Sequence, residues 1–201
     1  SLSSAVIVCR AMGYGDPRTL GSGNPGATNV LRIAGEKAAA LTLAGDSLKG
    51  FLPLVFFAIL RRFFPAGVDD LTIILVGLGA FFGHLYPIFF ELKGGKGVAT
   101  AFGVLLGWNP VVALLSVGIW GAVFWNTKIS SLSALTAAGF AVIATIFYAP
   151  LDYLRLAVFV MVGMLIYRHR SNIGRLIKGE EIPFGQSKPL SDDDDDDNDE
   201  D

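Results

Sequence analysis

Gly21-Ser22-Gly23-Asn24-Pro25-Gly26-Ala27-Thr28-Asn29-Val30-Leu31-Arg32 joins three glycines and a proline to hydroxyls, amides and a closing arginine. Lacking a Cβ, glycine lets backbone N–H groups approach a ligand closely and adopt positive φ. Asn24 suits an N-cap and Pro25 the first helical position, so a short helix is expected to start here. Such a start directs unpaired N–H groups and the positive end of the helix dipole outward, which suits a phosphate. Gly35 is expected just past the end of that helix. Arg32, about two turns after Asn24, adds a planar, bidentate fork for the same anion. On these residues alone a glycine-rich surface turn is the alternative.

The surrounding chain is 201 residues long and 52% hydrophobic, with positive mean hydropathy. That composition excludes an ordinary soluble domain and points to an all-α, multi-span membrane protein. The formal net charge of −2 conceals two separate objects. Asp192 to Asp201 contains nine of the 18 acidic residues, and without it 16 basic residues face 9 acidic ones, a balance of +7. A block of like charges repels itself, so residues 191–201 are expected to form a disordered, non-catalytic tail on a single domain covering 1–190. Cys9 is the only cysteine, which excludes an intrachain disulfide and a thiolate metal cluster.

Leu2 to Met12 is too short to cross a bilayer and reads as the inner part of a first helix. Further apolar runs cover Lys37 to Phe64, Leu71 to Phe90, Gly97 to Gly107, Val111 to Trp125, Leu132 to Tyr148 and Leu151 to Tyr167. Together they give about seven transmembrane helices, several of them short; re-entrant hairpins would reduce the count to five. With seven alternating spans, one side receives 12 of the 16 basic residues and is expected to be cytoplasmic. The same side gathers every polar motif. Within the span from Lys37, Asp46 lies three residues before Lys49 and is expected to form an ion pair with it. His84 near the end of its span is expected to be hydrogen-bonded structure.

Three more polar segments follow. Lys93-Gly94-Gly95-Lys96-Gly97-Val98-Ala99-Thr100 departs from a Walker A loop, because Gly97 follows Lys96 where a Ser or Thr is needed. It instead places a glycine-flanked lysine at the start of a helix from Gly97, a second anion-binding N-terminus. Thr127-Lys128-Ile129-Ser130-Ser131-Leu132-Ser133 is a hydroxyl-rich corner expected to cap the next helix. In Tyr167-Arg168-His169-Arg170-Ser171-Asn172-Ile173-Gly174-Arg175-Leu176, a helix continuing from the last span would present His169, Asn172 and Arg175 on one face. No metal-ligand spacing and no nucleophilic triad stands out. The inventory fits a site for two phosphates beside lipid.

Taken together, the motifs Gly21–Arg32, Lys93–Thr100 and Arg168–Leu176 resemble the bacterial acyl-phosphate:glycerol-3-phosphate acyltransferase family, over nearly everything from Ser1 to about Glu181. The resemblance implies a seven-helix enzyme of the bacterial inner membrane with a cytoplasmic active site. It implies transfer of a fatty acyl group from acyl phosphate to the sn-1 hydroxyl of glycerol 3-phosphate, without a cofactor or metal. By that resemblance Ser22, Arg32, Lys96, His169 and Asn172 are catalytic. The backbone of Gly23, Asn24, Gly26, Ala27, Thr28 and Asn29 would hold the donor, and Gly94, Gly95, Gly97, Ser131 and Arg175 would complete substrate binding. Lys128-Ile129 stands where the family often has Arg-Tyr, which affects the match at Ser131. Membrane lipid is the expected environment, with no nucleic-acid partner and a monomeric state. A small transporter or channel for a phosphorylated solute is the rival, and it would place its binding groups near the midplane.

Overall fold

Gly35 sets the geometry of the N-terminal half. The computed structural model describes residues 2–149 and 152–186, and it begins with α1 (Ser4–Ala11) and α2 (Ala27–Phe63). The helical dihedrals of α2 break at Gly35, with φ 79° and ψ −178°. A Cβ is disfavoured in that conformation, so glycine is the residue the break requires. The short arm before Gly35 carries the first motif, and the long arm after it is of membrane-spanning length. The break matches the helix end expected at Gly35, but the start differs. Gly26 rather than Asn24 is the N-cap, and the helix begins at Ala27. The Gly26 N–H donates to the Asn24 carbonyl at 2.9 Å, and this tight turn keeps Asn24 and Pro25 outside the helix.

Six further helices follow: α3 (Asp70–Leu85), α4 (Val98–Trp108), α5 (Pro110–Thr127), α6 (Ser130–Tyr148), α7 (Asp152–Arg168) and α8 (Arg170–Lys178). A 3-10 turn, Ile88–Phe90, lies between α3 and α4. Asp69 and Asn109 cap α3 and α5, accepting from the N–H groups of Thr72 and Val112. Every described element is helical. Among the described residues, four segments are long and apolar enough to cross a membrane: Ala27–Phe63, Asp70–Phe90, Pro110–Thr127 and Ser130–Tyr148. α1, α4 and α7 have 8, 11 and 17 residues, below the roughly 20 that a ~30 Å hydrocarbon core needs. Helix length alone therefore supports fewer spans than the apolar runs. The expected acidic tail, 191–201, lies outside the described residues, as do Leu151 and Lys188.

The core contains Leu54, Phe81, Leu85, Val104, Val158 and Met161, while Phe56, Leu75, Phe147 and Phe159 stay exposed on helix surfaces, as a lipid environment permits. α2 and α4 pack with almost no side chain between them. A Cβ on Gly103 would overlap the Ser47 carbonyl oxygen, and one on Gly50 would fall 2.5 Å from the Thr100 carbonyl oxygen. Small residues let membrane helices approach this closely, where van der Waals contact replaces the missing hydrophobic drive. Thr100 adds a bond from its hydroxyl to the Asp46 carbonyl at 2.9 Å.

Asp46 also carries the expected ion pair. Lys49 Nζ lies 2.8 Å from Asp46 Oδ1 and donates to the Leu2 carbonyl at 3.0 Å. His84 Nδ1 approaches the same carboxylate oxygen at 3.6 Å, so Asp46 links α2 to α3, and Lys49 links both to the segment leading into α1.

Gly103→Ala is expected to destabilise the protein by ~1–3 kcal/mol through overpacking of α2 on α4. Gly163→Ala, where an added Cβ meets nothing within 4 Å, is expected to leave stability unchanged. Melting temperatures in detergent check both, and equal melting of the two variants would refute the close-packing account.

Candidate active site

The loop from Gly94 to Gly97 fits into a space that admits no Cβ. One on Gly94 would overlap the His84 carbonyl oxygen; one on Gly95 would overlap His84 Nε2 and fall 3.1 Å from the Pro25 carbonyl oxygen. The second motif thus presses against the end of α3 on one side and against the first motif on the other. Gly97, at φ 91°, then caps α4 without any side-chain bond, leaving its first-turn N–H groups for an anion.

From this loop the polar contacts form a closed circuit. Lys96 Nζ donates to Asn172 Oδ1, joining the second motif to α8. Asn172 Nδ2 donates to Glu181 Oε1 at 2.6 Å, and Ser131 Oγ donates to the same oxygen at 2.6 Å. Arg175 Nε completes the carboxylate by donating to Oε2 at 2.6 Å. Thr28 Oγ1 and Ser130 Oγ lie 3.0 Å apart, which brings α6 back to the first motif. The Pro25–Gly95 approach closes the ring. Four segments far apart in sequence therefore meet through named polar atoms.

Burial shapes the charges inside this ring. Desolvation pushes Lys96 down to about 8; Glu181 opposes the shift, while the positive charges of Arg175, Arg168 and Arg32 add to it. Arg32 is exposed, and its reach into the site is this electrostatic one. His169 is 3% exposed, and desolvation lowers it to about 4, so it is neutral at physiological pH. Its Nδ1 lies 2.8 Å from the Leu165 carbonyl, an acceptor, which fixes the proton on Nδ1 and leaves Nε2 as an acceptor. Glu181 is lowered despite desolvation by its bonds from Ser131, Asn172 and Arg175, and it remains a carboxylate.

Several expected residues occupy other roles. Asn29, 1% exposed, donates from Nδ2 to the carbonyls of Pro17 and Leu20 at 2.9 and 3.0 Å. Its Oδ1 accepts from the Ser22 N–H at 2.8 Å, so its side chain holds the loop that carries Ser22. The helix expected to continue from the last span breaks: α7 ends at Arg168, and His169 (φ −96°, ψ 7°) starts α8. Asn172 and Arg175 still face one partner, Glu181. The hydroxyl corner does not cap α6 with a side chain; Ile129 is the N-cap, and Ser130 and Ser131 face Thr28 and Glu181.

Sequence reading passed over Ser130, Arg168 and Glu181. Glu181 had a signal, as a carboxylate closing a strongly basic stretch. Arg168 did not, because the positive-inside bias already accounts for a cation at that membrane edge. A cavity of about 410 Å³, lined by residues including Arg10, Tyr14, Asp16 and Arg18, lies apart from the circuit. There Arg18 is neutralised by Asp16 at 2.7 Å.

Residues 1–179 match the family model described as glycerol-3-phosphate acyltransferase. A glycerol-3-phosphate acyltransferase of Paraburkholderia phytofirmans is 48% identical over 188 residues, covering 94% of this chain and 87% of the relative. One from Neisseria meningitidis is likewise 48% identical, covering 94% and 93% of the two chains. Among solved structures, PlsY (YgiH), an integral membrane glycerol 3-phosphate acyltransferase, matches in its glycerol 3-phosphate form with a TM-score of 0.81. The match has 38% identity and covers 91% of this chain and 90% of that one. The lysophosphatidic acid form matches with a TM-score of 0.79.

Asn29→Ala is expected to cost ~1–3 kcal/mol, since two loop carbonyls and one N–H lose their partner together. Hydrogen exchange should rise across residues 17–23 while the α3 core stays protected. Unchanged exchange there would remove Asn29 as the anchor of the loop.

Proposed function

The chain belongs to the glycerol-3-phosphate acyltransferase family, and from that premise we propose that it takes a fatty acyl group from acyl phosphate and places it on the sn-1 hydroxyl of glycerol 3-phosphate. The products are lysophosphatidic acid and inorganic phosphate. The observation that carries this reading is the meeting of two glycine-bounded helix N-termini, at Ala27 and Val98, where Pro25 packs on Gly95. Two adjacent anion cradles suit a reaction whose donor and acceptor both bear phosphate. The same clustering at one end of the helices supports an enzyme over the transporter alternative.

Ser22 and the backbone from Gly23 to Thr28 hold the donor phosphate, with Asn29 acting through the loop it anchors. Lys96, Arg32, Ser131 and Asn172 neutralise and orient the acceptor, beside the amides of Gly95, Lys96 and Gly97; Arg175 keeps Glu181 in place. The acceptor hydroxyl oxygen attacks the acyl carbon, forming the ester C–O bond as the anhydride C–O bond breaks. The bond electrons leave with phosphate, and the hydroxyl proton ends on a phosphate oxygen. Neutral His169 accepts a hydrogen bond at Nε2 and orients the hydroxyl; a base near 4 is too weak to keep its proton. Positioning and charge stabilisation carry the rate, since the mixed anhydride is already activated.

An apolar cavity of about 70 Å³ between α4, α5, α6 and α7 has room for a few methylene groups of an acyl chain beside this site. Its lining includes Val98, next to Gly97, and Leu165, whose carbonyl holds the His169 ring. We place the site on the cytoplasmic side of the bacterial inner membrane, with the short helices completing seven crossings of a thinned protein. Residues 1–190 act as one monomeric domain, and the acidic tail takes no part in turnover.

Purified protein in detergent is expected to release phosphate from palmitoyl phosphate only when glycerol 3-phosphate is present. Turnover with palmitoyl-CoA and none with palmitoyl phosphate would overturn the donor assignment. The KM for glycerol 3-phosphate is expected to rise about ten-fold from pH 7 to pH 9, as Lys96 loses its proton through about 8. His169 stays neutral throughout that window. A flat KM profile would remove the Lys96 ammonium from acceptor binding.

A further inference from the structure

Arg168 is the last residue of α7, and its guanidinium faces the glycine loop rather than a carboxylate. Nη2 donates to the Gly94 carbonyl at 2.7 Å, and Nε donates to the Gly95 carbonyl at 3.2 Å. The guanidinium carbon lies 5.8 Å from the centre of the ring of Tyr86, the C-cap of α3. Among the described residues Arg168 has no ion-pair partner.

Gripping two consecutive carbonyls has a geometric consequence. In a trans peptide the C=O and the following N–H point in opposite directions. With the carbonyls of Gly94 and Gly95 turned toward Arg168, the N–H groups of Gly95 and Lys96 turn away from it. No protein acceptor among the described residues takes either N–H. Adjacent N–H groups aimed the same way make an anion-binding concavity. The bonds from Arg168 thus set the direction of these two peptide planes, within the space that His84 and the Pro25 carbonyl leave to the loop. Lysine would be a poor substitute, since one ammonium lacks the rigid fork that spans both carbonyls.

We propose that Arg168 is a positioning residue for the acceptor, fixing the peptide orientation of Gly94–Lys96 so that the loop's N–H groups receive the phosphate of glycerol 3-phosphate. It acts through the loop, because both of its hydrogen bonds go to loop carbonyls. The inference rests on the acyltransferase reading of this site.

The test uses the full chain in detergent and compares wild type, Arg168→Met and Arg168→Lys. Arg168→Met is expected to raise the glycerol 3-phosphate KM about ten-fold or more while kcat and the palmitoyl phosphate KM change little. Arg168→Lys should fall between it and wild type. Added guanidinium ion should lower the KM of Arg168→Met without affecting Lys96→Ala. Wild-type KM in Arg168→Lys, or equal loss in kcat and both KM values, would overturn the proposal. Should Arg168→Met fail to fold, the Arg168→Lys comparison decides alone. Calorimetric binding of glycerol 3-phosphate without donor gives a readout independent of turnover. If wild type binds glycerol 3-phosphate but does not use palmitoyl phosphate, the donor reading fails, and weakened binding by Arg168→Lys still supports the role of Arg168.

Discussion

A Cβ at Gly95 has no space to occupy. His84 Nε2 stands on one side, the Pro25 carbonyl on another, and the residue's own carbonyl accepts from Arg168. This steric constraint joins the two glycine-rich motifs and binds both to the helical scaffold. A loop held only by its own turns would let Lys96 wander, and a wandering ammonium loses most of its value in a preorganised site. Here the loop is fixed from three directions, and Lys96 reaches Asn172 from it.

The scaffold beneath the loop is polar where a membrane protein is usually apolar. From the Leu2 carbonyl the contacts run through Lys49 and Asp46 to His84, whose ring supports Gly95. Removing one member of a buried ion pair leaves a charge without a partner, typically a loss of ~3–5 kcal/mol. The pair therefore ties the position of the Gly94–Gly97 loop to helix packing. On the far side of the loop, Glu181 gathers Ser131, Asn172 and Arg175. This single carboxylate orients a hydroxyl, an amide and one guanidinium.

Much of this was legible in the chain. Asp46 and Lys49, three residues apart in an apolar run, had only each other to pair with, and they do. Gly35 fell where a helix had to stop, and its φ of 79° shows why. The motifs themselves were visible because glycines set beside asparagine or lysine at a helix start leave N–H groups open to an anion. What remained hidden depended on distance through space. Asn29 looks like a ligand in a polar motif, yet three loop groups surround it. Ser130 and Ser131 are indistinguishable as neighbours, and only the direction of α6 sends one to Thr28 and the other to Glu181. The break at His169 was concealed by a regular spacing that a continuous helix would also explain.

The central claim is that one ring of contacts, closed at Gly95, builds the acceptor phosphate site. An experimental structure of this chain with glycerol 3-phosphate bound tests it most directly. The account predicts the phosphate against the amides of Gly95 and Lys96 and within hydrogen-bond reach of Lys96 Nζ. A phosphate seated instead in the cavity of about 410 Å³ beside Arg10 and Arg18, with Lys96 still bonded to Asn172 and no anion near it, would contradict it.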